Sequence, residues 1–241
     1  TLKETRSTYV TGDNGYSFVV AELGIGSVDD EGNALDFGII NSVNELTTKT
    51  ISAWISLSSN IAQPVRTIIS NKIAGDNHGG FTLFVNEDNY LCFREVNKIW
   101  ETSYAITALR LTHVAVTKVS STLGTYPIIY VDGSLEAITG TAQDLFSYET
   151  GNSLIIGAEK EQSGADMVNS IFADVQDVRI YDDILTGAEI SALEAEGAGG
   201  SGNLVGLIFQ APVVGTQELT YYTNHVMVST DRVLDNVYGE V

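Results

Sequence analysis

The 241-residue chain has a single cysteine, few basic residues and no long apolar run, and each shortage excludes a class of protein. Cys92 has no second cysteine to pair with, so no internal disulfide holds the fold. No run of about 18 apolar residues occurs, so the sequence predicts no transmembrane segment. Residues 1–6 are polar and no apolar stretch follows them, so we also expect no signal peptide.

Basic residues are scarce beside acidic ones, with 12 Lys and Arg against 31 Asp and Glu and a formal net charge of -19. A surface of this sign repels the phosphates of nucleic acids and the headgroups of anionic lipids. We therefore expect no nucleic-acid partner and no membrane insertion. The same carboxylates favour solubility and can collect divalent cations where several of them converge.

Short apolar runs of period two, separated by Gly, Asn and Asp, dominate the chain and predict an all-β sandwich. The candidate strands are residues 16–22, 34–37, 50–56, 66–71, 80–85, 90–95, 111–119, 125–131, 153–157 and 172–181. Residues 86–89 predict a hairpin loop. Asp132-Gly133 predicts a type I′ hairpin turn, because that turn needs positive φ angles, which Gly adopts readily and Asp tolerates.

One short helix is predicted near the end of the main domain, because Thr186 and Glu189 have the spacing of a capping box. Gly197 can end this helix, and the glycine-rich residues after it have the composition of a flexible linker. The segment beyond the linker is too short to fold alone, so it must pack on the main domain, on a second copy or on a partner. The predicted organisation is an N-terminal β extension (1–32), a β-sandwich (33–197), a linker (198–202) and a C-terminal β extension or assembly arm (203–241).

Several segments carry a family resemblance when they are taken in order. The segments are NALDF (33–37), TISAWI (50–55), TIISNK (67–72) with GFTLFV (80–85), THVAVT (112–117), IYVDG (129–133), and LIIG (154–157) with DVQDVRIY (174–181) and LTGAEI (185–190). Together they resemble the laminin-G-like and pentraxin-like domains of the concanavalin A-like lectin/glucanase superfamily. The resemblance implies a jelly-roll sandwich of two antiparallel sheets, with Trp54 and Tyr130 in its core.

The resemblance also implies a calcium site. Calcium-binding members of the family place carboxylates in two loops, and here those loops offer Asp76 and Asn77, then Glu159 and Glu161. Ca²⁺ takes 6–8 oxygen ligands, so these four side chains with carbonyls and water can complete a site. Lys160 lies between the two glutamates and argues against it, and the alternative is a pair of ordinary solvated acidic loops.

A sugar site needs exposed aromatic rings beside hydrogen-bonding loops. The candidates for ligand contact are Trp100, Tyr104, Tyr126 and Tyr148, which fall in predicted loops or at strand ends.

The sequence gives little support for a catalytic function. Retaining glycosidases use two carboxylates close together, and on this superfold those carboxylates stand at alternate positions of one strand; the chain has no such Glu-x-Asp-x-Glu triplet. The Gly-x-Ser-x-Gly nucleophile motif is also missing from the sequence. We therefore expect that the chain has no catalytic residues and is not an enzyme.

Three functions remain open, in order of preference. The first is a structural or assembly protein on a large particle, such as a virion decoration or fibre protein, with other subunits as partners and the virion surface as its location. The strand-rich ends favour it, because unpaired strands can pair with neighbouring subunits. The second is a secreted or surface glycan-binding adhesion module, with or without Ca²⁺. The third is an atypical glycoside hydrolase.

Overall fold

The computed structural model describes residues 16–18, 34–58, 63–75, 79–142, 151–162, 167–200, 205–211 and 220–221. The strands are β1 (Tyr16–Phe18), β2 (Leu35–Ile39), β3 (Thr48–Leu57), β4 (Arg66–Ser70), β5 (Phe81–Val85), β6 (Tyr90–Glu95), β7 (Lys98–Ala105), β8 (Thr112–Val119), β9 (Ile128–Val131), β10 (Ser134–Glu136), β11 (Ile138–Thr139), β12 (Ser153–Ile156), β13 (Glu159–Lys160), β14 (Met167–Val168), β15 (Ala173–Tyr181), β16 (Leu207–Ala211) and β17 (Thr220–Tyr221). The helices are α1 (Asn41–Asn44) and α2 (Gly187–Glu196). Neither of these described helices is long and apolar enough to cross a membrane.

Two large antiparallel sheets confirm the predicted all-β sandwich. In the part of the chain that the structure describes, sheet A has eight strands in the order β10-β9-β8-β3-β15-β16-β17, with β1 also paired to β15. Sheet B has seven described strands in the order β11-β7-β6-β5-β4-β12-β2. The short strands β13 and β14 pair with each other apart from both sheets.

Strand β3 shows how the sequence selects the inward face, and it corrects one prediction. Ile51, Ala53 and Ile55 are fully buried in the core between the sheets. Successive side chains of a strand point to opposite faces, so Trp54 points outward from sheet A. There it is half-buried, and its ring centroid lies 5.1 Å from that of His113. The prediction that Trp54 is a core residue is therefore wrong.

The core indole belongs instead to Trp100 of β7, which is fully buried. Its ring stacks on Phe93 at a centroid distance of 6.1 Å, and Phe93 stacks on Phe81 at 6.3 Å. On the other side of the core, Phe37 of β2 meets Phe209 of β16 edge to face at 5.1 Å. The Phe37–Phe209 contact joins the two sheets, whereas the rings of Trp100, Phe93 and Phe81 form a row on the inner face of sheet B.

The Phe209 contact bears on the organisation of the chain. Strand β16 pairs antiparallel with β15, and both Phe209 and Ala211 are buried in the main core. Residues 207–211 are thus part of the sandwich, although they follow the predicted linker. The predicted boundaries at 32, 197 and 202 otherwise stay predictions.

Helix α2 covers part of the outer face of sheet A. Its predicted capping box is confirmed: the Glu189 amide donates to the Thr186 hydroxyl, and the Thr186 amide donates to the Glu189 carboxylate at 2.8 Å. The helix and its flanking segments bury a second apolar cluster against the sheet, made of Ala115, Tyr130, Tyr181, Leu185, Ile190, Leu193 and Leu207. The first residues of the predicted linker lie on the same face, where the Gly199 amide donates to Asp177 at 3.0 Å.

Three connections meet at one end of the sandwich, which we call the loop end: residues 86–89, 106–111 and 132–133. The Ile106 amide donates to the Asn89 carbonyl at 2.8 Å, which joins the first two connections. The turn that Asp132 and Gly133 form has φ angles of 47° and 69°, which confirms the predicted type I′ hairpin.

A buried ionic cluster of Lys49, Glu95 and Lys118 lies at the opposite end of the core. Lys49 and Lys118 face each other on β3 and β8, and Glu95 reaches both from sheet B. Lys49 forms a short ion pair with Glu95, while the Lys118 ammonium lies 4.0 Å from it. Ser120 donates to Glu95 at 2.6 Å and accepts from Lys49 at 2.9 Å, so the cluster is a closed network.

Candidate functional site

An exposed polar and aromatic cluster at the loop end is the best candidate site. We call it the rim site: Tyr104 near the end of β7, Arg110 in the connection to β8, and Asp132 in the β9–β10 turn. Tyr104 packs partly against the core of the sandwich and presents its hydroxyl at the surface. The site thus joins the end of sheet B to the end of sheet A.

Hydrogen bonds fix the geometry of the rim site. The Arg110 guanidinium donates through Nη1 to the Tyr104 hydroxyl at 3.0 Å and through Nη2 to Asp132 Oδ2 at 2.6 Å. The other carboxylate oxygen, Asp132 Oδ1, accepts from the His113 backbone amide at 3.0 Å. A backbone donor therefore orients the carboxylate, and the carboxylate orients the guanidinium.

The rim site is open to solvent and carries no net charge. The Arg110 and Asp132 side chains are 51% and 23% exposed. The hydrogen bond to Tyr104, followed by the attraction of Asp132, raises the pKa of Arg110, so the guanidinium stays charged. An exposed pair of this kind adds little to stability, so its ordered geometry is available for a ligand.

Apolar groups flank the charged pair. Leu109 is 80% exposed and Leu111 is 41% exposed, on either side of Arg110. Leu109 also has a φ of 61°, and its amide donates to the Leu57 carbonyl at 2.7 Å. Positive φ is uncommon for a bulky residue and is found where the surrounding structure imposes it, often at binding sites. The connection therefore presents apolar side chains beside a hydrogen-bonding pair.

Beside the rim site, Trp54 and His113 lie on the outer face of sheet A. His113 is buried, and burial lowers its pKa to about 4, with Asp132 and Asp177 opposing that shift and Arg179 adding to it. The imidazole is therefore neutral at neutral pH. It therefore contacts the Trp54 ring as an uncharged aromatic ring.

The predicted ligand-contact residues are placed differently by the structure. Tyr104 belongs to the rim site, and Tyr126 is 51% exposed in the connection before β9. Trp100 is fully buried, so its ring is inaccessible to a ligand. This corrects the prediction for Trp100, and the reason is that its position on β7 faces the core. Tyr148 lies outside the described residues.

The predicted calcium residues are only partly described. The Ala74 amide donates to the Lys160 carbonyl at 2.8 Å, which brings the segment before Asp76 and Asn77 beside the segment of Glu159 and Glu161. Asp76 and Asn77 themselves lie outside the described residues, and Glu161 is half-buried.

Glu159 does not fit a calcium ligand. Its buried carboxylate forms a close ion pair with Arg94 and accepts from Thr82 at 2.5 Å and from Asn169 at 2.6 Å. A calcium ion there would stand beside a guanidinium. Among the described residues, no group of three or more His, Cys, Asp and Glu could hold a metal ion. The calcium site as a whole stays a prediction, because Asp76 and Asn77 lie outside this part of the chain.

Two residues of the rim site were not predicted as ligand contacts. Asp132 was assigned only to a turn, and Arg110 to no site. The pair is separated by 22 residues in the chain and meets because β8 and β9 are paired neighbours in sheet A, which brings the residues before β8 beside the turn after β9. The motif IYVDG could have indicated Asp132 as a site residue, because its Asp lies in a left-handed turn that holds the carboxylate at the surface.

Comparison with protein families gives one match to the chain. The model of the concanavalin A-like lectin/glucanases superfamily matches residues 29–191, which is more than half of the chain. No protein with a curated description matches it.

Solved structures share the fold at low sequence identity. A Bacteroides ovatus protein provisionally assigned to carbohydrate binding has a TM-score of 0.61 and 16% identity over 90% of this chain and 57% of its own. A heptameric SAP-like pentraxin from Limulus polyphemus has a TM-score of 0.58 and 17% identity over 87% of this chain and 94% of its own. The CBM40 of the Ruminococcus gnavus IT-sialidase has a TM-score of 0.53 and 15% identity, over 77% of this chain and 95% of its own. The chain spans 57% of the length of the Bacteroides protein, and at these identities the likeness concerns the fold alone.

Proposed function

Because the chain belongs to the concanavalin A-like lectin/glucanases superfamily, we propose that it is a non-catalytic, lectin-like module that binds a glycan at the rim site. The observation that carries the proposal is the Arg110–Asp132 pair, which is exposed, oriented by the Tyr104 hydroxyl and the His113 amide, and flanked by apolar side chains. The fold it shares with a protein provisionally assigned to carbohydrate binding supports the same function. A surface or extracellular location suits a module of this kind.

The chemistry of the rim site matches that of a sugar. A pyranose ring offers neighbouring hydroxyl groups, which both donate and accept, and apolar C–H faces. Arg110 supplies donors in a planar fork, and Asp132 supplies acceptors. The ring of Tyr104 and the exposed Leu109 and Leu111 supply apolar contact, as small-molecule sites generally do.

The same geometry favours binding over hydrolysis. Glycoside hydrolysis uses two carboxyl groups, about 5–5.5 Å apart in retaining enzymes and about 6.5–9.5 Å apart in inverting ones. Within the three residues of the rim site, Asp132 is the single carboxylate, and it is held by a cation and a backbone amide. The rim site thus offers groups that can bind a glycan, but it does not offer the two carboxyl groups that would hydrolyse one.

Variants of the rim site test this proposal. On a glycan array, Arg110→Ala and Asp132→Asn should each weaken binding about tenfold or more, because either change leaves a polar partner unpaired in the complex. Tyr104→Ala should weaken it similarly, whereas Tyr104→Phe should lose only the contribution of the hydroxyl. Leu123→Ala, which truncates a 65% exposed side chain in the connection between β8 and β9 at the opposite end of the sandwich, is the control and should bind like the wild type.

The stabilities of these variants complete the test. The exposed pair contributes about 0–1 kcal/mol, so thermal unfolding of Arg110→Ala should stay close to that of the wild type. A wild-type protein that binds no glycan would refute the proposal. So would rim-site variants that bind as tightly as the wild type.

Strands from both ends of the chain favour a second candidate, a structural or assembly function. Strand β1 pairs with β15 at one end of that strand, β16 pairs with its other end, and β17 extends sheet A beyond β16. Strands added in this way can place a sheet edge against a neighbouring subunit. We include here the display of the sandwich on a virion or another large particle.

Light scattering on the purified full chain tests the assembly function. We expect an oligomer whose population rises with salt, because the net charge of -19 makes copies repel and salt screens that repulsion. A monomer at every salt and protein concentration would remove this second candidate and leave the glycan-binding function untouched.

A further inference from the structure

Arg66 is a buried cation at the loop end that has no carboxylate partner among the described residues. It is the first residue of β4, lies opposite Val85 on β5, and is only 1% exposed. Its Nη2 donates to the Asn86 carbonyl and, at 2.7 Å, to the Asn89 side-chain oxygen. Within the described part of the chain, its Nε is buried and has no hydrogen-bond partner.

Three other cations that are buried or mostly buried have a carboxylate partner. Lys49 is paired with Glu95, Arg94 with Glu159, and Arg179 with Asp177. Arg66 forms no ion pair with any described residue, although the chain has 31 acidic residues. Even Glu87 and Asp88, in the loop that Arg66 contacts, are exposed and do not pair with it.

An isolated charge in the interior is costly, by several kcal/mol even after the protein relaxes. Burial lowers the pKa of Arg66, but a guanidinium does not lose its proton in a protein. The neutral oxygens of Asn86 and Asn89 offset the lost hydration only in part, since a guanidinium bonds more strongly to an anion. The Arg66 side chain therefore has a charge and a free donor that remain to be matched.

We propose that Arg66 is the anion-binding residue of a second ligand site at the loop end, and that it takes an oxyanion, either a carboxylate or a phosphate-type group. The oxyanion accepts from the unpaired Nε and neutralises the guanidinium. Because Asn86 and Asn89 are half-buried residues of a surface loop, the guanidinium lies one side chain below the surface. This site does not depend on the proposed glycan function.

Thermal unfolding of the full chain in sodium phosphate tests the site, with sodium chloride keeping the ionic strength constant. Phosphate also stabilises proteins in general by exclusion from their surface, so the readout is the saturable difference between variants. The wild type should show a saturable rise in melting temperature, and Arg66→Met should lose it. Arg94→Met, which removes a guanidinium that has its own carboxylate, is the control. It should melt at a lower temperature in every buffer because the buried Glu159 loses its partner, but it should keep the saturable rise with phosphate. A repeat with acetate distinguishes a carboxylate site from a phosphate site.

Two further results separate ligand binding from a purely structural role. In chloride alone, Arg66→Met should be at least as stable as the wild type, because the uncompensated charge is gone. By calorimetry, Arg66→Lys should bind phosphate about tenfold more weakly, because it keeps the charge but loses the fork. The proposal is overturned if the wild type shows no saturable response, if Arg66→Met responds like the wild type, or if Arg66→Lys keeps full affinity. A loss of folding in Arg66→Met together with unchanged phosphate binding in Arg66→Lys would assign Arg66 to structure alone.

Discussion

Replacing Glu95 by Gln should lower the free energy of unfolding by about 3–5 kcal/mol, because it removes one partner of a buried ion pair. Glu95 is the carboxylate shared by Lys49 and Lys118, and all three side chains are at most 4% exposed. Without it, two ammonium groups on adjacent strands would face each other in the core. Equilibrium denaturation with urea measures the loss. The exposed Glu87→Gln is the control and should change stability by about 0.5 kcal/mol or less.

The pH dependence of the loss identifies its cause. Burial lowers the pKa of Lys118 to about 8 from its usual 10.5; Glu95 opposes this shift and Lys49 adds to it. Between these two pH values the unfolded chain holds a proton that the folded chain has released, so the stability of the wild type should rise with pH. The deficit of Glu95→Gln should shrink as the pH rises toward about 8, because Lys118 without the carboxylate releases its proton at a lower pH in the folded variant than in the folded wild type. Above that pH the stabilities of the two proteins should rise in parallel. A deficit that stays constant as the pH rises toward 8 would contradict the ionic explanation.

Replacing Phe209 by Ala should destabilise the protein by about 3–5 kcal/mol, the usual cost of emptying the space of a buried aromatic ring. Phe209 is 1% exposed and meets Phe37 edge to face across the core. The half-buried Ile208 is its neighbour on β16 and the control, since Ile208→Ala should cost clearly less. Urea denaturation again gives the free energy of unfolding.

The Phe209 result also decides whether the start of the C-terminal segment is a structural part of the sandwich or a separate arm. If the loss is large, deleting residues 203–241 removes part of the core, and a failure of that truncated chain to assemble would report misfolding rather than a missing arm. A loss below about 1 kcal/mol would show that β16 is not a structural part of the sandwich in solution.

Local sequence signals predicted much of the fold because each depends on neighbours in the chain. The turn at Asp132-Gly133 follows from its φ requirements, and the helix start at Thr186 follows from its capping box. The prediction for Trp54 was wrong because β3 is covered on both faces. Ser52, for example, is only 2% exposed although it faces outward. A strand buried on both sides lacks the polar alternation that identifies its inner face.

The candidate site was harder to predict because its contacts are distant in the chain. Glu159 was assigned to calcium from its loop, yet its partner Arg94 is 65 residues away on another strand. Arg110 and Asp132 likewise meet only after β8 and β9 pair in sheet A. Tyr104 could be proposed from its residue type and position alone. The sequence thus indicated which kinds of residue to consider, and the packing determined which of them meet.

An NMR titration with the best glycan from the array would test glycan binding at the rim site most directly. With the isotope-labelled chain, we expect saturable shifts of the backbone amides of Tyr104, Arg110, His113 and Asp132. The same titration of Arg110→Ala should show much weaker shifts. Amides around Arg94 and Glu159, which lie away from the loop end, should stay unchanged. Shifts confined to that second region, or none at any glycan concentration, would show that the rim site does not bind the glycan.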